Sequence, residues 1–135
     1  MIIRSKQIFA FQPLVEKSFI QNIKDYLLEE HSETIVHFAE GNFELEKIPH
    51  NTLDRLIQNG VHQANNYGID WESEIVSFVS LMFVIAPNFH LHPFAKQVLT
   101  NEKIEPNRRL KELIECATEE EWEKAEQNYD VKAWD

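Results

Sequence analysis

The sequence predicts an all-α fold: a single compact domain, residues 1–135, of five to seven helices around a central antiparallel helix hairpin, Leu53–Phe83. Three observations lead there. Apolar residues recur at three-to-four spacing along most of the chain, as they do in helices with one buried stripe. Three Gly and five Pro are too few for the tight turns of an all-β protein, and too few for a disordered chain. Finally, Tyr67-Gly68-Ile69 separates two apolar stripes so briefly that the helices it joins must be neighbours. Nine Phe and three Trp in a chain that is 43% hydrophobic supply large core anchors.

Ser5 is placed to cap a first helix carrying Ile8, Phe11, Val15, Phe19, Ile23 and either Tyr26 or Leu27. Pro13 interrupts its backbone ladder but not its stripe, which predicts a kinked or stepped helix, bent near Phe9–Gln12 and ending near Glu30. Residues 33–48 read as a short helix, capped by Ser32 and carrying Ile35, Val36, Phe38 and Ala39, followed by a loop from Gly41-Asn42. A small hairpin around Gly41-Asn42 is the alternative, since Phe43-Glu44-Leu45-Glu46 alternates with period two. A lone hairpin on a helical protein is marginal, which favours helix plus loop.

Asn51 or Thr52 is expected to cap the helix carrying Leu53, Leu56, Ile57, Val61 and Ala64. Gly60 costs it about 1 kcal/mol of helix propensity, a sacrifice that suits close helix packing. Gly68 should take positive φ at the helix end, with Ile69 folded back on the last turn. Asp70 then caps a helix that is apolar nearly all round from Ile75 to Phe83, so Phe78, Met82 and Phe83 should be deeply buried. Pro87 stops it. Pro93 opens a short helix through Leu99, and Pro106 opens another with Leu110, Leu113, Ile114 and Ala117. Cys116 lies beside that stripe, where a buried structural thiol is expected. Thr118 to Glu121 form a capping box for a last helix with Trp122 and Ala125.

Charge narrows the function. A net charge of −10 argues against nucleic-acid binding and against an anionic membrane surface. It favours solubility and would suit a basic protein partner. A single cysteine excludes an internal disulfide, and the first residues hold no long apolar run of a secretory signal, so a cytoplasmic protein is expected.

Catalytic chemistry has little to stand on. His90-Leu91-His92 could turn two imidazoles to one metal ion, with His50, His62 or a carboxylate completing it, but no HExxH, paired Cys or Asp cluster accompanies it. The expectation is no metal, no cofactor and no enzyme; a metal-assisted hydrolase on His90 and His92 is the alternative. The carboxylates Glu72 and Glu74 suit a helix start, and no GxSxG, P-loop or GxGxxG occurs. Trp71, Trp122, Tyr129 and Trp134 flank acidic runs. They either close the ends of the core or anchor a partner inside a charged rim.

The run Ala64-Asn65-Asn66-Tyr67-Gly68-Ile69, followed by Glu74, Val79-Ser80-Leu81-Met82-Phe83 and Phe89, resembles small helical proteins encoded beside spike, PAAR and Rhs-type toxin genes of bacterial type VI secretion clusters. Those show a similar A-x-x-Y-G-I, an acidic position, L-M-F and a later phenylalanine. Where that family has Asp-Pro-x-x-Pro-Trp after the L-M-F helix, this chain has His90-Leu91-His92-Pro93-Phe94, and Glu33–Lys47 is additional. The resemblance implies an accessory protein that escorts, adapts or neutralises a secreted effector, and it supplies no catalytic residues. The partner would be an effector or a spike component. The surfaces expected to meet it are the acidic, aromatic C-terminus, with Glu119, Glu120, Trp122, Glu123, Glu126, Tyr129 and Trp134, and the loop with Phe43, Glu44 and Glu46. A structural subunit of an oligomer is a further alternative.

Overall fold

The computed structural model describes residues 13–135, with side chains from Lys17 onward. The expected Ser5 cap and the bend near Phe9–Gln12 lie outside the described residues. Six α-helices and one two-stranded sheet make up the rest: α1 (Pro13–Glu30), β1 (Ile35–Phe38), β2 (Gly41–Glu44), α2 (His50–Asn66), α3 (Glu72–Val84), α4 (Pro93–Leu99), α5 (Pro106–Cys116) and α6 (Glu119–Gln127). Short 3-10 turns cover Leu45–Lys47, Phe89–Leu91 and Val131–Trp134. The fold is therefore mainly helical but not all-α.

The sheet overturns the helix-plus-loop reading of residues 33–48. β1 and β2 pair antiparallel, with Val36 opposite Phe43 and Phe38 opposite Gly41, so the turn is Ala39-Glu40, not Gly41-Asn42. Gly41 takes φ +148, a value that favours glycine. Period two decided the outcome: Val36 and Leu45 on one face are fully buried, while Ile35 and Asn42 on the other are exposed. A helix over the same residues would have turned Val36 and Phe38 to different sides.

α2 and α3 pack along one another at Gly60. A Cβ there would stand 3.0 Å from Val79 Cγ2 and 3.2 Å from Met82 Sδ, so a side chain at this position would crowd the helix contact. The turn between them is a Schellman motif. Gly68 N–H donates to the Asn65 carbonyl at 2.9 Å, and Ile69 N–H reaches the Ala64 carbonyl at 3.1 Å. Gly68 has φ +83, and Ile69 is fully buried. Phe78, Met82 and Phe83 are core residues, as their spacing requires.

Two expected caps give way to other solutions. α2 starts at His50 with Pro49 at its N-cap, because the Pro49 carbonyl already accepts from Leu53 N–H at 2.9 Å; Asn51 serves only its neighbour Thr52 N–H. Asp70 does not cap α3. Trp71 occupies the N-cap, and the donors of Asp70 and Trp71 are taken by the Asn107 side chain, whose Oδ1 lies 2.8 and 2.9 Å from them. Asn107 Nδ2 returns a bond to Asp70 Oδ1 at 2.8 Å. One buried amide thus stitches α5 to the start of α3.

Arg109 fastens the same corner. Its guanidinium donates to the carbonyls of Ile104, Tyr67 and Leu99, which end or follow α2 and α4. On the far side, buried Lys24 of α1 pairs with Asp54 of α2 at 3.0 Å. The Thr118–Glu121 capping box is present at the start of α6, with both reciprocal bonds made. Cys116, expected inside, is exposed, and its thiol donates to Glu112. The buried stripe of α5 is Asn107, Leu110 and Leu113 only, too narrow to include Ile114 or Cys116.

Candidate functional site

The hairpin owes its place to the C-terminal segment. Tyr129 Oη accepts from His37 N–H at 3.1 Å and from Trp134 Nε1 at 3.0 Å. Trp134 Nε1 also reaches the His37 carbonyl at 3.2 Å. Both backbone groups of His37, on the outer edge of β1, are thus satisfied by aromatic side chains, where a third strand would otherwise pair. On the outer face His37 Nδ1 lies 2.8 Å from Asn42 Oδ1, and the His37 ring meets Tyr129 edge-on at 4.9 Å. Burial pushes the Tyr129 phenol up from its ordinary range, so the hydroxyl stays protonated.

Trp134 is 2% exposed. Its ring centroid lies 4.9 Å from Phe83 on α3 and 6.2 Å from Phe38 on β1. It therefore works as part of the core and as the floor of what lies above it. That is an open cleft of about 390 Å³ between hairpin, α2 and C-terminal turn. Phe38, Phe43, Ile48, Pro49 and Val131 give it apolar walls, and Arg55, Lys132, Glu40 and Asp135 bring charge. Arg55 faces the Asp135 carboxylate at 3.8 Å. Phe43, 43% exposed, overhangs the cleft and lies 6.0 Å from the Phe38 ring.

Two stretches chosen separately for partner contact thus meet. Phe43 and Trp134 line one cleft, and Tyr129 fixes the strand beside it. Glu44 lies half-buried on the opposite face of β2 and does not line the cleft, and Glu46 is exposed just beyond. Glu119, Glu120, Glu123 and Glu126 do not join them. They stay exposed on α6, whose Trp122 is half-buried against Phe94 at 5.2 Å and Phe89 at 6.3 Å. Sequence reasoning missed Phe38, Ile48 and Arg55 as cleft residues. No local pattern marks them, because they meet only through the fold of the hairpin against α2.

The histidine pair sits elsewhere. His90 is 4% exposed, packed among Tyr67, Phe78 and Phe89, and its Nδ1 lies 2.9 Å from the Tyr67 hydroxyl. Burial lowers its pKa to about 4; the Pro87 carbonyl opposes this, and Lys96 adds to it. His92 packs near Phe94 at 6.3 Å. Among the described residues, no group of three or more His, Cys, Asp or Glu side chains is arranged to hold a metal ion. Nor is any described helix long and apolar enough to cross a membrane. No protein-family model, curated protein or solved structure matches the chain.

Proposed function

We propose that the protein is a non-enzymatic binding module that engages another protein through the cleft between the hairpin and the C-terminal turn. One observation carries the reading: Phe43 and Trp134, far apart in the chain, line the same open, apolar-walled cleft at the acidic hairpin. A half-exposed aromatic beside a recess, ringed by charge, is the anatomy of a protein contact. The α2–α3 pair is the rigid centre on which this surface is mounted. The resemblance of Ala64–Ile69 and Val79–Phe83 to accessory proteins of type VI secretion clusters supplies the setting. There the protein is a cytoplasmic chaperone, adaptor or immunity factor for a secreted effector or spike component. Nucleic acid and membrane are not partners of so acidic a surface.

Co-expression with the products of adjacent genes, followed by co-purification, tests the reading. A complex should form with one of them and be lost in Phe43→Asp. Its association should slow as salt rises, because acid-steered encounter is screened. Blocking of a purified toxin marks an immunity factor; a gain in client solubility or export marks a chaperone. If no neighbouring product binds, or Phe43→Asp binds as well as the parent, the cleft is not the contact surface.

A further inference from the structure

We propose that β2 accepts an extended, basic segment of a protein partner as a third strand, with one large apolar side chain of that segment seated in the cleft. The inference rests on the binding role proposed above and adds the form and chemistry of the ligand. It begins with an asymmetry between the two edges of the sheet. His37 N–H and C=O point away from β2, since they bond Tyr129 and Trp134. Thr34 carbonyl, three residues earlier, accepts from Leu45 N–H. With this register, Val36 and Phe38 carry the ladder to Phe43 and Gly41, and Asn42 turns both backbone groups outward; Glu44 turns its N–H outward, while its carbonyl starts the 3-10 turn Leu45–Lys47. At His37 the β1 edge is closed by two aromatic side chains. Among the described residues, the β2 edge is open at both backbone groups of Asn42 and at the Glu44 N–H.

An added strand inherits the alternation of the sheet. Val36, Phe38, Phe43 and Leu45 share the inner face, so every second residue of the newcomer lies beside Phe43, above the cleft. About 390 Å³ of space with Phe38, Ile48, Val131 and Trp134 around it suits a Phe, Trp or Leu. The cations Arg55 and Lys132 come from α2 and the C-terminal turn, so the recess itself favours an uncharged side chain. The intervening residues lie with Glu44 on the outer face, and Glu40 and Glu46 flank the strand. Such an edge repels another acidic strand, a second copy of this chain included, and attracts alternating Lys or Arg. Strand addition of this kind takes affinity from main-chain bonds and selectivity from alternate side chains.

The test uses the intact protein and a phage-displayed library of random peptides, counter-selected on Phe43→Asp. Enriched peptides should alternate basic residues with a large apolar one. The best is then synthesised with N-methyl groups on either of its two sets of alternate amides. Methylation of the set that faces β2 should weaken binding about tenfold or more, and methylation of the other set should leave it nearly unchanged. Enrichment of acidic or patternless peptides, no enrichment, or equal tolerance of both methylated forms overturns strand addition. The methylation arm leaves the protein unaltered, so it decides the matter even if Phe43→Asp folds poorly. A neighbouring gene product that co-purifies in a Phe43-dependent way, while the peptides show no such pattern, sinks this inference and leaves the binding role standing.

Discussion

His90 shows how a single residue couples packing to pH. Its imidazole lies among Tyr67, Phe78 and Phe89, and burial brings its pKa from 6.5 to about 4. Between those values the unfolded chain carries a proton that the folded one excludes. Stability is complete above about pH 6.5 and falls as pH drops toward 4, by up to about 3 kcal/mol. Urea midpoints at about pH 7.5 and about pH 4.5 should therefore diverge, and His90→Gln should narrow the gap. A parent protein with equal midpoints would show that His90 is not held neutral. Gly60 makes a second case. Alanine there gains about 1 kcal/mol of helix propensity, but its Cβ meets Val79 and Met82, and overpacking costs about 1–3 kcal/mol. Gly60→Ala should lower the melting temperature; a rise would mean that the α2–α3 contact can open without strain. The role of Gly60 was legible in the sequence, because a glycine inside a strong apolar stripe has few other uses.

Among the elements, helices announced themselves and the hairpin did not. Helix starts at Pro93 and Pro106 follow from ring geometry and missing donors, which are local facts. The hairpin is stabilised from a distance, by Tyr129 and Trp134 on its edge and by burial of Val36 and Leu45. No window of sequence around Ile35 contains those partners, so local weakness misdirected the reading. The start of α3 failed for the same reason. A nearby Asp70 is the natural cap, but Asn107, 37 residues on, does the bonding. A direct comparison follows. Thr118→Ala removes an exposed cap and should cost about 1 kcal/mol. Asn107→Ala strands two buried donors and the Asp70 carboxylate, and should cost about 3 kcal/mol. Chemical denaturation ranks the two variants; a larger loss at Thr118 would show that water replaces the Asn107 amide.

At the scale of the whole molecule, the question is whether hairpin, helices and C-terminal turn melt as one. Trp134 is the side chain that joins them, second from the end of the sequence. Its ring packs on Phe83 of α3 and Phe38 of β1, and its Nε1 bonds the His37 carbonyl. The cleft depends on the same ring for its floor. Trp134→Phe keeps most of the packing and loses the donor, which should cost about 1–2 kcal/mol. Trp134→Ala loses both and should cost about 3–5 kcal/mol, a large share of the stability of a domain this size. If the three parts form one cooperative unit, the melt of Trp134→Ala stays a single transition at lower temperature. The His37 amide adds a local readout. Tyr129→Phe removes its acceptor, so His37 should exchange with solvent faster while amides in α3 keep their protection. Two resolved transitions in Trp134→Ala, with α3 unmoved, would instead make the hairpin and C-terminal turn a separate unit, held to the helices without sharing their stability.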